Sequence, residues 1–191
     1  MRLPRIVVAL GVTSALALAS CGGGSSGSAS GVPASQWTAN LCKTALDYTK
    51  NIKSAETQET SALQNVSSVS QAKSQVVGLL QSGVDQTQSA IDRVQTVGPP
   101  AVDNGAKIQA QVDRAFHQAK VVLQQALDQM QSAPTSDPAA FSTTASSIGA
   151  AVTTGFTQVQ NAFGAIDQLD TSGALTKAGA QNPTCQALTH Q

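Results

Sequence analysis

Large side chains are scarce in this chain. One Trp, one Tyr and four Phe make up 3% aromatics in 191 residues. A core must therefore be assembled from Ala, Val, Leu and Ile, with Trp37, Tyr48, Phe116, Phe141, Phe156 and Phe163 as its few large pieces. Charge is scarce too. Asp, Glu, Lys and Arg together reach 12%, roughly half the usual share. Gln, at 22 residues, joins Ser and Thr to fill the polar faces; such a surface stays wet without a strong field. No basic excess exists to neutralise phosphates, because the formal charge is zero. Nucleic acid is accordingly not expected as a partner.

Groups that do chemistry are thin as well. The chain has two His (His117 and His190) and two Glu (Glu56 and Glu59). A di-metal bundle needs Glu on each helix plus Glu-x-x-His motifs, and neither Glu precedes a His by three. No His stands at metal-ligand spacing from a Cys. Phosphate loops, dinucleotide fingerprints and strand-to-helix nucleophile elbows are missing. Asp85 with Asp92, and Asp167 with Asp170, share helical faces by spacing, but solvated faces carry such pairs routinely. The expectation is a protein without catalytic residues, metal or cofactor.

What is present begins at the N-terminus. Arg2 and Arg5 give a positive start, and residues 6–19 are apolar or small. That run is short for a permanent membrane span and suits the apolar region of a signal peptide. It ends in Leu18-Ala19-Ser20-Cys21, which resembles the lipobox of bacterial lipoproteins. The resemblance implies cleavage just before Cys21 and a diacylglycerol on its thiol, with the new amine open to acylation. Several acyl chains give the stable anchoring that one chain cannot. Residues 1–20 are thus expected to be a lipoprotein signal peptide. Residues 21–35, rich in Gly and Ser, are expected to be a flexible tether with a reach of roughly 20 Å. Residues 36–191 are expected to be the domain. Loss of Arg2 and Arg5 leaves nine basic against eleven acidic residues, a balance of −2.

Cys42 and Cys185 lie near the two ends of that domain. In an oxidising compartment such a pair reads as a disulfide; the rival reading is two unpaired thiols. Between them run four stripes of helical period. The first carries Trp37, Leu41, Ala45, Tyr48, Ile52 and Ala55, with Ser35 as its expected N-cap. The second runs from Val66 through Val76, Leu80, Val84, Thr87 and Ile91 to Val94 and stops at Gly98-Pro99-Pro100. Gly78 and Gly83 weaken its middle. The third runs from Ile108 through Val112, Phe116 and Leu123 to Met130, with Asp103 expected in its first turn. The fourth, opened by Asp137-Pro138, runs from Phe141 through Ile148, Val152, Phe156 and Phe163 to Leu169. Asn182-Pro183 is expected to start a last short helix carrying Cys185 and Leu188. No segment alternates as a strand would. Four amphipathic helices with short links predict an all-α, up-down-up-down four-helix bundle. In that topology the first and fourth helices are neighbours, and a C-terminal segment is tied back by the disulfide.

The lipobox, the Gly/Ser tether, the Trp37 to Cys42 start of the first helix, the Val97-Gly98-Pro99-Pro100-Ala101 turn and the Asn182-Pro183-Thr184-Cys185 end together resemble small lipoproteins of actinobacteria. The resemblance implies location and architecture, and no activity. Two functions are therefore carried forward. One is a membrane-anchored extracytoplasmic module, held by the lipid on Cys21, that engages an unidentified envelope protein without catalysis. The other is a carrier of an apolar, lipid-like envelope molecule in a slot between helices beside Phe116, Phe156 and Phe163. Gly149, Gly155 and Gly164 on the fourth stripe serve either tight packing or such a slot.

Overall fold

A computed structural model describes residues 31–63 and 66–189. The expected signal peptide, Cys21 and tether residues 21–30 lie outside the described residues. The described chain is all-helical, with no strand among those residues. Four long helices, α1 (Ala34–Leu63), α2 (Val69–Val97), α3 (Gly105–Ser132) and α4 (Pro138–Gly164), are followed by the short α5 (Ile166–Leu169), α6 (Ala174–Gln181) and α7 (Pro183–Thr189).

Local chemistry sets each boundary. α1 starts on the Pro33 carbonyl, which accepts from Trp37 N at 2.9 Å, so Pro33 occupies the cap position in place of the expected Ser35. Ser68 caps α2 by accepting from Gln71 N at 3.2 Å, while the Gln71 side chain reaches back to Ser67 N at 2.8 Å, a reciprocal arrangement of the capping-box kind. α2 stays helical through Gly78 and Gly83 and ends at Gly98, whose φ of 75° suits glycine. Asn104 (φ 61°) precedes α3, which leaves Asp103 ahead of the helix and not in its first turn. Asp137 accepts from Ala139 N (2.8 Å) and Ala140 N (3.1 Å) with Pro138 at the start of α4, as expected. The fourth helix closes at Gly164, and Ile166–Leu169 forms the separate turn α5.

Sequence periodicity does not reveal α6. The buried Asp170 makes it: Oδ2 accepts from Leu175 N (3.0 Å), Thr176 N (3.0 Å) and Thr176 Oγ1 (3.1 Å). Three helix-start donors are satisfied by one carboxylate oxygen. α7 begins as expected, with Asn182 Oδ1 accepting from Thr184 N (2.8 Å) and Cys185 N (3.3 Å).

The long helices meet in sequential pairs. Lys73 Nζ donates to the Ala133 carbonyl at one end of α2–α3 (2.8 Å), and Gln109 Nε2 donates to the Val94 carbonyl at the other (3.1 Å). Among the described residues the close pairs are α1–α2, α2–α3, α3–α4, α1–α6 and α1–α7, with α5 against α3 and α4 and α6 against α7; α1–α4 is not one of them. The expectation of adjacent first and fourth helices is corrected here, because the short terminal helices take that flank of α1. The Cys42–Cys185 disulfide fastens α7 to α1 across 143 residues, as expected.

Two apolar clusters fill the interior. One gathers Trp37, Ile91, Val94, Ile108, Val112, Phe116 and Leu175; the other gathers Leu80, Val84, Leu123, Leu127, Met130 and Ile148. Between them, buried Ala115 and Ala119 lie under half-buried Phe156 and Phe163.

Candidate functional site

The first cluster's end of the molecule is also where the chain enters. Val32 N donates to the Pro99 carbonyl (2.9 Å), and Ala101 N donates to the Val32 carbonyl (2.7 Å). Val32 packs on the first cluster. Val32 is thus part of the described fold although it falls inside the expected tether 21–35. A Cβ on Gly105 would run into the Pro100 carbonyl, so the turn and the start of α3 are in direct backbone contact. The disulfide, α6 and α7 close the same end.

A polar knot ties three helices there. Trp37 Nε1 donates to Gln109 Oε1 (3.1 Å), and Gln109 Nε2 donates to Val94 O and to Asp113 Oδ1 (3.3 Å). Burial pushes the Asp113 carboxyl up from 3.8, against the opposing pull of His117 one turn on and the Gln109 hydrogen bond. His117 is itself exposed. Nearby, buried Thr87 donates its only hydroxyl proton to the Gly83 carbonyl (2.7 Å). Tyr48 OH, 3.1 Å from Thr87 Oγ1, must therefore be the donor in that pair. Desolvation raises the Tyr48 phenol above 10.0.

The three Phe singled out in the sequence do come together. Phe116 is 4% exposed and stands edge-on between Tyr48 (centroids 6.1 Å) and Phe163 (5.4 Å). Phe156 shares the Ala115–Ala119 patch with Phe163. The glycines beside them differ in kind. A Cβ at Gly155 would lie 2.5 Å from Val122 Cγ2, whereas one at Gly149 or Gly164 meets nothing. At Gly155, at least, the small residue serves the α3–α4 approach.

Between α1 and α2 runs a groove of about 450 Å³, bordered by Asn40, Lys43, Asp47, Asp92, Arg93 and Thr96, with Val97 adding apolar surface. Asp47 Oδ2 accepts from both Lys43 Nζ and Arg93 Nη1 at 3.0 Å. The Lys43 hydrogen bond leads, with Arg93 adding, in holding the Asp47 carboxyl below its usual 3.8. A second, smaller groove of about 330 Å³ lies between α3 and α5, with Lys107 and Arg114 on it.

The chain matches no known protein family, no curated protein and no solved structure. Of the acid pairs considered in the sequence, Asp170 is spent on capping α6 while Asp167 is exposed. Asp92 borders the α1–α2 groove and accepts from Gln88 (2.6 Å), and Asp85 accepts from Gln81 (3.0 Å). Among the described residues no three His, Cys, Asp or Glu are grouped to hold a metal. No described helix is long and apolar enough to cross a membrane. The arrangement offers grooves of mixed polar and apolar lining and an entry end closed by the disulfide, α6 and α7. Buried Thr87 stands on the second stripe as expected, whereas the burial of Gln109 and Asp170 was missed because a polar residue beside an apolar stripe looks like surface until its partners are known.

Proposed function

We propose that this protein is a membrane-anchored extracytoplasmic lipoprotein whose domain is a non-catalytic interaction module of the cell envelope. The observation that carries the reading is Leu18-Ala19-Ser20-Cys21 behind a basic start and an apolar run. The architecture supports it. A chain pinned at Val32 presents its disulfide-closed end toward the anchor, and ten residues from Cys21 reach roughly 15–20 Å. We read the long helices as an up-down-up-down course, and the α1–α2 groove, with Lys43 and Arg93 beside Asp47 and Asp92, as an accessible, charge-balanced surface. Mixed, weakly charged polar surfaces of this kind suit a rim-like contact with another protein more than steering of a charged ligand. Photocrosslinking in intact cells tests the module: a photoreactive residue replacing Thr96 at the groove should yield a discrete protein adduct, and one replacing exposed Gln129 on α3 should not. Equal adducts from both positions, or none from Thr96, would sink it.

A second reading, a carrier of an apolar envelope molecule, keeps one supporting observation: Phe156 and Phe163 remain half-buried over Ala115 and Ala119. A lipid that co-purifies in stoichiometric amount with protein taken gently from its membrane would favour it over the first.

A further inference from the structure

We propose that the groove between α3 and α5 binds the phosphate headgroup of an anionic phospholipid in the membrane to which the chain is tethered; the inference rests on the anchored reading above. Lys107, Gln111 and Arg114 lie on one α3 face at spacings of four and three. They border a groove of about 330 Å³ whose opposite side is Gln168 and Leu169, with Ala110 at its base. Both cations are exposed, and neither takes part in the Lys43–Asp47 or Arg93–Asp47 ion pair. Arg114 Nη2 donates to Gln111 Oε1 at 2.6 Å, which fixes the guanidinium beside the groove. Two cations facing the Gln168 amide and a short apolar wall match a phosphodiester with the first carbons of its glycerol.

Position selects the lipid as the source of that phosphate. The turn that grips Val32 through Pro99 and Ala101 also carries Asn104, whose Nδ2 donates to the Leu169 carbonyl at 3.3 Å. The groove's α5 wall is therefore bonded to the turn that holds Val32, where the described chain begins. Lys107 is two residues into α3, and Arg114 follows by about 10 Å of helix rise. Asp103 and Asp167, exposed at the same end, offset part of the positive charge, so a free phosphate ion gains little. A headgroup held near the groove by the tether is presented at an effective concentration in the millimolar range, where a weak site fills.

Amide NMR shifts of the mature chain, beginning at residue 21 with Cys21→Ser and containing every described residue, test the proposal without acylation. Dihexanoyl phosphatidylglycerol below its micelle concentration should shift amides of residues 107–114 and 165–169 saturably. Dihexanoyl phosphatidylcholine and inorganic phosphate should each bind about tenfold more weakly or not at all. The double variant Lys107→Gln, Arg114→Gln should lose at least about tenfold in affinity for phosphatidylglycerol, with the rest of its spectrum unchanged. Lack of saturable shifts, equal response to phosphatidylcholine, or undiminished binding by the variant would overturn the site. Equal affinity for inorganic phosphate would overturn its assignment to lipid. None of these results touches the anchor, which stands or falls on membrane fractionation of Cys21→Ala.

Discussion

Gln109 shows how one polar side chain specifies a packing arrangement. Its amide accepts from the Trp37 indole of α1 and donates to the Val94 carbonyl of α2 and the Asp113 carboxylate of α3. Gln109→Ala leaves the buried indole N–H without an acceptor, and urea unfolding should show a loss of roughly 2–3 kcal/mol. Trp37→Phe removes the donor, so adding it to Gln109→Ala should cost less than the sum of the two single changes; strict additivity would mean that the hydrogen bond contributes nothing. Asp113 bears on pH. Its folded-state value lies above 3.8 through burial, so the stability it contributes is fully present below about 3.8 and declines as pH rises through the folded value. Asp113→Asn should stabilise the protein at pH 7 by less than about 1 kcal/mol, since the site is partly wet. The difference from wild type should vanish in acid. A variant equally stabilised at pH 3 and pH 7 would contradict this account of Asp113.

At the scale of elements, the glycines of α4 give opposite expectations. Gly155→Ala drives a methyl into Val122 and should destabilise by about 1–3 kcal/mol. Gly149→Ala meets open space and should stabilise by about 0.5–1 kcal/mol through helix propensity. Thermal melts of the two variants measure both; a neutral Gly155→Ala would reopen the slot at that position. The long elements were legible because their apolar residues repeat with helical period, and because Gly98-Pro99-Pro100 and Asp137-Pro138 punctuate them in ways set by local backbone chemistry. α6 was not legible. It depends on Asp170, whose carboxylate reads as surface charge until the chain folds back on itself. The start of α1 was misplaced for a related reason, since Ser35 looks like a cap but Pro33 lies where Val32 is pinned to Pro99 and Ala101. The α3–α5 groove was invisible because Gln168 and Leu169 come opposite Lys107 and Arg114 only in three dimensions. The three Phe were found because large residues are so few that any aromatic on a helical stripe is a core candidate.

For the whole molecule, both termini of the described chain converge on one end. The entering segment is held by Val32, and the leaving segment by Cys185. The disulfide closes a loop of 143 residues and should stabilise by about 4–5 kcal/mol through loss of unfolded-chain entropy. Reduction should lower the melting temperature by several degrees and release α7 while far-UV circular dichroism at room temperature keeps most of its helical signal, because both apolar clusters draw on the long helices; collapse of the helical signal would mean that the clusters do not stand alone. Under the proposed anchoring, a closed end where the chain enters, with α1 extending about 45 Å from it, is an arrangement suited to a domain held close above a membrane. That claim rests on Cys21. Mass spectrometry of the N-terminal peptide from protein extracted from its native membrane should find the chain beginning at Cys21 and carrying a diacylglycerol, and Cys21→Ala should move the protein out of the membrane fraction after a high-salt wash. An unmodified Cys21, or a Cys21→Ala variant that stays with the membranes, would contradict the account.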